Sequence, residues 1–254
     1  MTRFQRLSLA TVIATYILVV IGGTVRVTDS GLACPDWPTC NGSLIPALRE
    51  HVLIEYSHRL FASLVSVLVI LCAVVAWRSL RRDRAVLTLA TAALGVLIVQ
   101  VLLGAVTVKA DLPAAVVTAH LGTAMLLLGT VTLLALASFP GLLGVLLHDR
   151  RTTAGTVVVR NTALIAAAGM YVLLLSGAYL ASSDVGLVCS TWPLCNGQLF
   201  PHGPQGVDLH MAHRYVVALV TALMVVLLFV VRTRQPGNRL LNRAVRDALT
   251  LFVL

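Results

Sequence analysis

The chain has 254 residues, of which 58% are hydrophobic and 11% are charged, and its mean hydropathy is +0.93. This composition leaves too little polar surface for a soluble domain of that length, and it predicts a polytopic membrane protein. The formal net charge of +9 is explained by arginines in the loops and by anionic lipid, so nucleic acid is not expected as a partner.

Six apolar segments are long enough to span a bilayer. They lie near residues 7–27, 57–77, 85–107, 114–139, 161–181 and 213–231, and a seventh begins near residue 243. A signal peptide is a weaker interpretation of the first segment, because Gly22 and Gly23 lead into a motif that recurs later in the chain. We therefore predict an all-α protein with several transmembrane helices.

The distribution of arginine predicts the orientation of these helices, since short loops on the cytoplasmic side are rich in Lys and Arg. Arginines cluster before the first segment and in every second connection, at residues 3–6, 78–84, 150–160 and 232–246. The sequence thus predicts a cytoplasmic amino terminus in the cell membrane. The intervening loops, which carry four of the five cysteines, are expected on the outer face.

One motif occurs twice. Residues 29–46 read DSGLACPDWPTCNGSLIP and residues 184–201 read DVGLVCSTWPLCNGQLFP, at an offset of 155 residues that also relates His58-Arg59 to His213-Arg214. The chain is therefore a tandem duplication. Because both copies present the loop on one side, the repeat is parallel, and each copy is expected to form a four-helix bundle. The predicted halves are residues 1–147 and 148–254, and the second would need an eighth span to be complete.

The cysteines of the motif form two Cys-x5-Cys pairs on the oxidising side of the membrane, which favours disulfides between Cys34 and Cys40 and between Cys189 and Cys195. Zinc binding is the alternative, although zinc sites show tighter spacing and further ligands nearby. Cys72 falls within a span and is interpreted as packing.

Three histidines, His58, His120 and His213, lie within spans, where such residues are costly. His120 lies seven residues beyond Pro113, about two helical turns, so it can reach the depth of His58 from another helix. Two imidazoles on facing helices can bind a haem iron from both sides, and we predict all three as axial ligands. Hydrogen bonding across helices is the alternative. The loop residues His51, His148 and His202 are interpreted as solvated.

Two further features of the repeat carry charge. Arg59 and Arg214 follow the histidines at the outer boundary, where they could pair with haem propionates or simply extend to the interface. Glu55, three residues before His58, is replaced by His210 in the second copy. A carboxyl beside an iron ligand could act as a general base or stabilise positive charge, whereas the alternative is a carboxylate favoured by a helix amino terminus.

Together these motifs resemble the haem A synthase family: paired Cys-x5-Cys loops containing Trp-Pro, ExxHR before the second span, a histidine in the fourth and HxxHR before the sixth. The resemblance implies an oxidoreductase that converts the C8 methyl group of haem O to a formyl group with oxygen from water. It implies that His58 and His120 hold the substrate haem O, with Glu55 as catalytic carboxylate. It also implies that His213 binds a prosthetic haem b, with a second ligand expected near position 275, and that the Cys34–Cys40 pair contributes to activity.

Two other functions fit part of the pattern. A di-haem b-type electron carrier explains the histidines but not the difference between Glu55 and His210, and a haem-handling transporter would use the parallel repeat as a substrate path. For an enzyme, the expected partners are haem O, the membrane enzyme that produces it, a membrane electron acceptor and lipid. The sequence leaves homo-oligomerisation open.

Overall fold

The computed structural model describes residues 1–47, 49–139, 154–183, 185–201, 203 and 206–253. Within these residues the chain forms helices and loops, with isolated β-bridges only at Cys40–Ser43 and Cys195–Gln198. The helices are α1 (Arg3–Val27), α2 (Glu50–Ser79), α3 (Arg84–Lys109), α4 (Ala114–Ala137), α5 (Ala154–Ser182), α6 (Val207–Arg234) and α7 (Arg239–Val253). The prediction of an all-α fold is confirmed.

Helices α1 to α6 are 24 to 30 residues long and apolar enough to cross a membrane. In each helix, only 11 to 28% of the apolar window is buried within the protein, so most of its side chains face outward. Such an apolar outer surface is stable in a bilayer but not in water. The chain is thus a multi-pass membrane protein. The expected seventh span coincides with α7, which begins at Arg239 and has 15 described residues, and it is not among these six.

Local sequence sets several helix boundaries. Thr2 and Gln5 form a capping box at the start of α1, and the Asp83 side chain accepts from the Val86 amide at the start of α3. Pro113 precedes the first residue of α4, as predicted. Helix α2 begins at Glu50, before the apolar segment that starts near residue 57, so Glu55 lies within the helix.

The chain divides into two compact units, Met1–His148 and Asp149–Leu254. In the first unit α1 packs against α2 and α4, and α3 packs against the same two helices, which closes a ring of four. Its core has two clusters, one containing Val65, Val69 and Leu127 and one containing Cys72 and Leu134. Cys72 is a buried free thiol that lies 3.4 Å from the Thr11 hydroxyl, in keeping with a packing role.

In the second unit α5 packs along α6, and α6 contacts α7. Its core is built around Val220, Met224 and Val231 of α6, with Ala166 of α5 and Val245 of α7. The pairing of α5 with α6 corresponds to that of α1 with α2 in the first unit. The assignment of substrate and prosthetic haem to the two halves stays a prediction.

Candidate functional site

Each transmembrane histidine packs its imidazole against a glycine of the preceding helix. A methyl group at that glycine would lie 3.1 Å from the histidine Cε1 in all three cases, closer than nearly all real contacts. The ring therefore occupies space that any other residue would fill. The pairs are His58 with Gly22, His120 with Gly104, and His213 with Gly177.

His58 and His120 belong to the first unit, where they lie on α2 and α4, two helices of the same ring of four. The Nδ1 atoms of both rings are buried and have no hydrogen-bond partner among the described residues. The Nε2 atom of His120 lies 3.4 Å from the side-chain amide nitrogen of Gln100 on α3, and the Gln100 Oε1 is itself buried and unpartnered. Unpaired ring nitrogens inside an apolar bundle are costly unless a ligand satisfies them.

His213 in the second unit differs from these two. Its Nδ1 lies 2.9 Å from the Ser176 hydroxyl, and that hydroxyl also donates to the Leu173 carbonyl at 2.9 Å. Because a hydroxyl has one proton, a Ser176 that donates to Leu173 accepts from the ring, and this arrangement favours the His213 tautomer with its proton on Nδ1. The Nε2 lone pair is then free to bind a metal.

These arrangements fit a haem better than a bare metal ion. Among the described residues, no group of three or more His, Cys, Asp or Glu side chains could hold a metal ion. A porphyrin brings four nitrogen ligands of its own and needs only axial imidazoles from the protein. The glycine beside each ring, and the placement of His58 and His120 on different helices of one bundle, suit that requirement.

Both cysteine pairs form disulfides, Cys34–Cys40 and Cys189–Cys195, and each disulfide closes a short loop ahead of a histidine-bearing helix. The bonds are nearly inaccessible, with Cys34, Cys40 and Cys195 exposed by 1% or less. The zinc alternative gains no support from the side chains that the structure describes.

Arg59 and Arg214 bind these loops through backbone carbonyls. Arg59 donates from Nη1 to the carbonyls of Asp36 and Thr39, both at 2.7 Å, and from Nη2 to that of Cys34 at 2.6 Å. Arg214 repeats the pattern on the carbonyls of Thr191, Leu194 and Cys189, with a further contact to that of Pro193. The sequence analysis considered propionate pairing or extension to the interface for these arginines, and it missed their hydrogen bonds to the loop carbonyls. These bonds hold the loops in shape.

Glu55 completes the network in the first copy. Its side chain is buried, its Oε1 pairs with Arg59, and its Oε2 accepts from the Cys34 amide at 2.7 Å. The carboxylate is thus fixed between the disulfide loop and His58, which lies three residues further along α2. The structure therefore places Glu55 on the same helix face as the candidate iron ligand.

His210 takes the place of Glu55 in the second copy and cannot reproduce this network. It is 8% exposed, it lies near the backbone of Val185, and its Nδ1 has no partner in the described part of the chain. Within the described ranges, Arg214 consequently has no carboxylate to match the one that Arg59 binds. The difference seen in the sequence is a difference in charge at the loop.

Comparisons with known proteins show the family. The profile of the family described as cytochrome oxidase assembly protein matches residues 5–53 and 49–254. The chain belongs to the haem A synthase family of cytochrome oxidase assembly proteins. It is 32% identical to the haem A synthase of Alkalihalophilus pseudofirmus over 94% of this chain and 80% of that protein. It is 33% identical to that of Halalkalibacterium halodurans (86% and 72%) and 32% identical to that of Lysinibacillus sphaericus (80% and 67%).

In this haem A synthase family member, the structure shows residues beside the histidines that the sequence analysis missed. Gly22 and Gly177 are related by the same offset of 155 residues as the histidines they contact, so a full alignment of the two copies could have found them. Ser176 and Gln100 gave no such signal, because Ser176 corresponds to Ile21 and the residue corresponding to Gln100 would lie beyond position 254. The prediction of His51 as a loop residue was wrong, because it lies in the first turn of α2, where it is exposed and bonds to Ser30. His148 and His202 lie outside the described residues.

Proposed function

We propose that this protein is a haem A synthase, an oxidoreductase that converts the C8 methyl group of haem O to a formyl group. The observation that carries the proposal is the first unit, where two half-buried imidazoles with buried Nδ1 atoms, on α2 and α4, accompany a buried carboxylate that is held by Arg59 and Cys34. The overall change consumes one water and releases four protons and four electrons, with water supplying the formyl oxygen. A membrane electron acceptor takes up the electrons.

In this proposal His58 and His120 hold the substrate haem O, and Glu55 acts at the reacting edge. Each carboxylate oxygen of Glu55 has one described hydrogen bond and a second lone pair, so it can accept a proton from water or stabilise positive charge. Cys34 and Cys40 contribute by fixing the loop that donates to Glu55.

His213 is proposed as one axial ligand of a prosthetic haem b in the second half, and the other ligand is expected on a later helix. When bound, haem b supplies electron storage. Arg59 and Arg214 remain proposed neighbours of the haem propionates. Their Nε–H groups are the donors for which no partner is found among the described residues.

The arginine-rich connections support the proposal of a cytoplasmic amino terminus, with both disulfide loops on the outer face of the cell membrane. The proposed partners are haem O, the membrane enzyme that produces it, the electron acceptor and lipid. A homo-oligomer is compatible with this arrangement.

The experiment is pigment analysis after expression beside a source of haem O. We expect haem A in extracts of cells with the wild-type protein, and haem O without haem A in cells with Glu55→Gln. Glutamine keeps an acceptor for the Cys34 amide but has no negative charge. Glu50→Gln, at the exposed start of the same helix, is the matched control and should retain activity.

Two results would contradict the proposal. Wild-type protein that retains reversible haem b but makes no haem A from available haem O would indicate the electron carrier, and protein that retains no haem would indicate the transporter. Full haem A formation by Glu55→Gln would remove Glu55 from the chemistry.

A further inference from the structure

The two copies differ beside the histidine that each contributes from its ExxHR or HxxHR motif. Gly22 and Gly177 lie against His58 and His213 with the ring Cε1 at 3.1 Å in both cases, and with Nδ1 at 3.6 and 3.8 Å, from the position of a glycine methyl. Nε2 of His213 is also within reach, at 3.8 Å, whereas Nε2 of His58 is more than 4 Å away, so the two rings are similarly placed but not identically turned. The residues before these glycines, Ile21 and Ser176, are related by the same offset of 155 residues.

The chemistry at these two places is different. Ser176 accepts a hydrogen bond from Nδ1 of His213, whereas the corresponding Nδ1 of His58 is buried and unpartnered. An isoleucine side chain offers no acceptor to that nitrogen. Nδ1 of His120, the other proposed ligand in the first unit, is unpartnered as well.

A hydrogen bond from Nδ1 affects the metal site in two ways. It fixes the ring orientation and the tautomer that exposes Nε2, and it makes Nε2 a stronger electron donor. Loss of such a partner typically costs about 10- to 100-fold in metal affinity. A resident cofactor needs tight ligation, whereas a substrate must enter and leave.

We propose that Ser176 is a positioning residue that makes the second half the haem-retaining site, and that Ile21 leaves His58 without this support so that the first half releases its haem. The inference rests on the proposed function, since it takes His213 and His58 as ligands of prosthetic and substrate haem. It adds a physical reason why two similar sites in one chain would treat haem differently.

The test measures haem b in purified full-length protein. Ser176→Ala should release haem b to apomyoglobin about 10- to 100-fold faster than wild type and shift its reduction potential upward, because the weaker imidazole stabilises ferric iron less. Ser176→Thr keeps the hydroxyl and should stay close to wild type. Ser183→Ala is the matched control just beyond the end of the same helix, because the side chain of that serine bonds to the Tyr179 carbonyl and not to a histidine.

A second measurement needs no haem. In protein prepared without haem and labelled with 15N at histidine, His213 should show the Nδ1–H tautomer in wild type and lose this preference in Ser176→Ala. The reciprocal variant Ile21→Ser should give His58 an acceptor, so that the first half retains haem O through purification and the haem content per chain rises.

Unchanged haem release, potential and tautomer in Ser176→Ala would overturn the inference. If Ser176→Ala does not fold, unchanged haem content in Ile21→Ser would overturn it instead. Failure of the proposed function has a different signature, because haem b would then persist in His213→Ala. Loss of haem b in His213→Ala together with wild-type behaviour of Ser176→Ala would reject the role of Ser176 alone.

Discussion

Arg59 joins the disulfide loop to the helix that carries His58. One guanidinium donates to three loop carbonyls and to Glu55, which the branched, planar geometry of arginine permits and a lysine ammonium does not. Arg59→Lys should therefore loosen the loop while keeping the charge. For two lost hydrogen bonds to a charged group we expect a loss of about 3 kcal/mol in local stability.

That loss corresponds to roughly hundredfold faster hydrogen exchange at the loop amides, measured by mass spectrometry of peptides spanning residues 34–42. Arg49→Lys is the control, since Arg49 is exposed and its side chain makes no hydrogen bond with other described residues. Equal exchange in wild type and Arg59→Lys would show that the guanidinium does not hold the loop.

Asp36 supports the same loop through its side chain and gives it a pH dependence. The hydrogen bond from the Thr39 hydroxyl, with a further one from the Gly42 amide, lowers the pKa of Asp36 from 3.8 to about 2. The unfolded loop would bind a proton at a higher pH than the folded loop. The stabilisation is thus complete well above pH 3.8 and is lost as the pH falls through about 2.

Fluorescence of Trp37, recorded with the other two tryptophans replaced by Phe, should report this transition. We expect a stable signal from neutral pH to about pH 4 and a change on further acidification. Asp36→Asn should remove the acid transition. The second loop is an internal comparison, because Thr191 replaces Asp36 there and its hydroxyl accepts from the Asn196 amide without a charge.

At the scale of helices, each imidazole is positioned by its contact with a glycine on the preceding helix. Gly22→Ala would place a methyl group 3.1 Å from Cε1 of His58, so the ring must move. Overpacking of this kind typically costs 1–3 kcal/mol, which would weaken haem O binding by about tenfold or more. Spectroscopic titration of the purified protein with haem O measures this change.

Gly23→Ala is the matched control for that prediction. A methyl group at Gly23 meets nothing within 4 Å, and alanine favours a helix over glycine by about 1 kcal/mol. Gly23→Ala should therefore leave haem O binding unchanged and preserve or improve stability. Equal affinity in both variants would show that contact with Gly22 does not position His58.

The helices could be predicted from the sequence more fully than the contacts between them. Hydropathy located the six spans because bilayer thickness fixes their length. It missed the start of α2, because Glu50, His51 and Glu55 interrupt the apolar run over residues 50–56 although these residues are helical. The role of Arg59 could not be predicted, because its partners are backbone carbonyls, which every residue possesses and no sequence pattern marks.

At the scale of the whole chain, duplication supplied two similar units and later substitutions separated them. Each unit has its own apolar core and its own arginine-bound disulfide loop. The substitutions lie beside the histidines, where Glu55 corresponds to His210 and Ile21 to Ser176. Comparison of the two copies in the sequence revealed the difference between Glu55 and His210. The difference between Ile21 and Ser176 could be interpreted only from the structure, where Ser176 is bonded to His213.

Because the units have separate cores, loss of a ligand in one should not unfold the other. His58→Ala should abolish haem A formation and haem O binding but leave the reduced haem b spectrum intact. His213→Ala should remove the haem b spectrum and leave haem O binding in the first half. Difference spectra before and after titration with haem O distinguish the two. His51→Ala, which changes an exposed histidine in the first turn of α2, should leave both properties unchanged. Loss of both haems in either single variant would contradict independent sites, because a defect confined to one imidazole would then have spread to the core of the other unit.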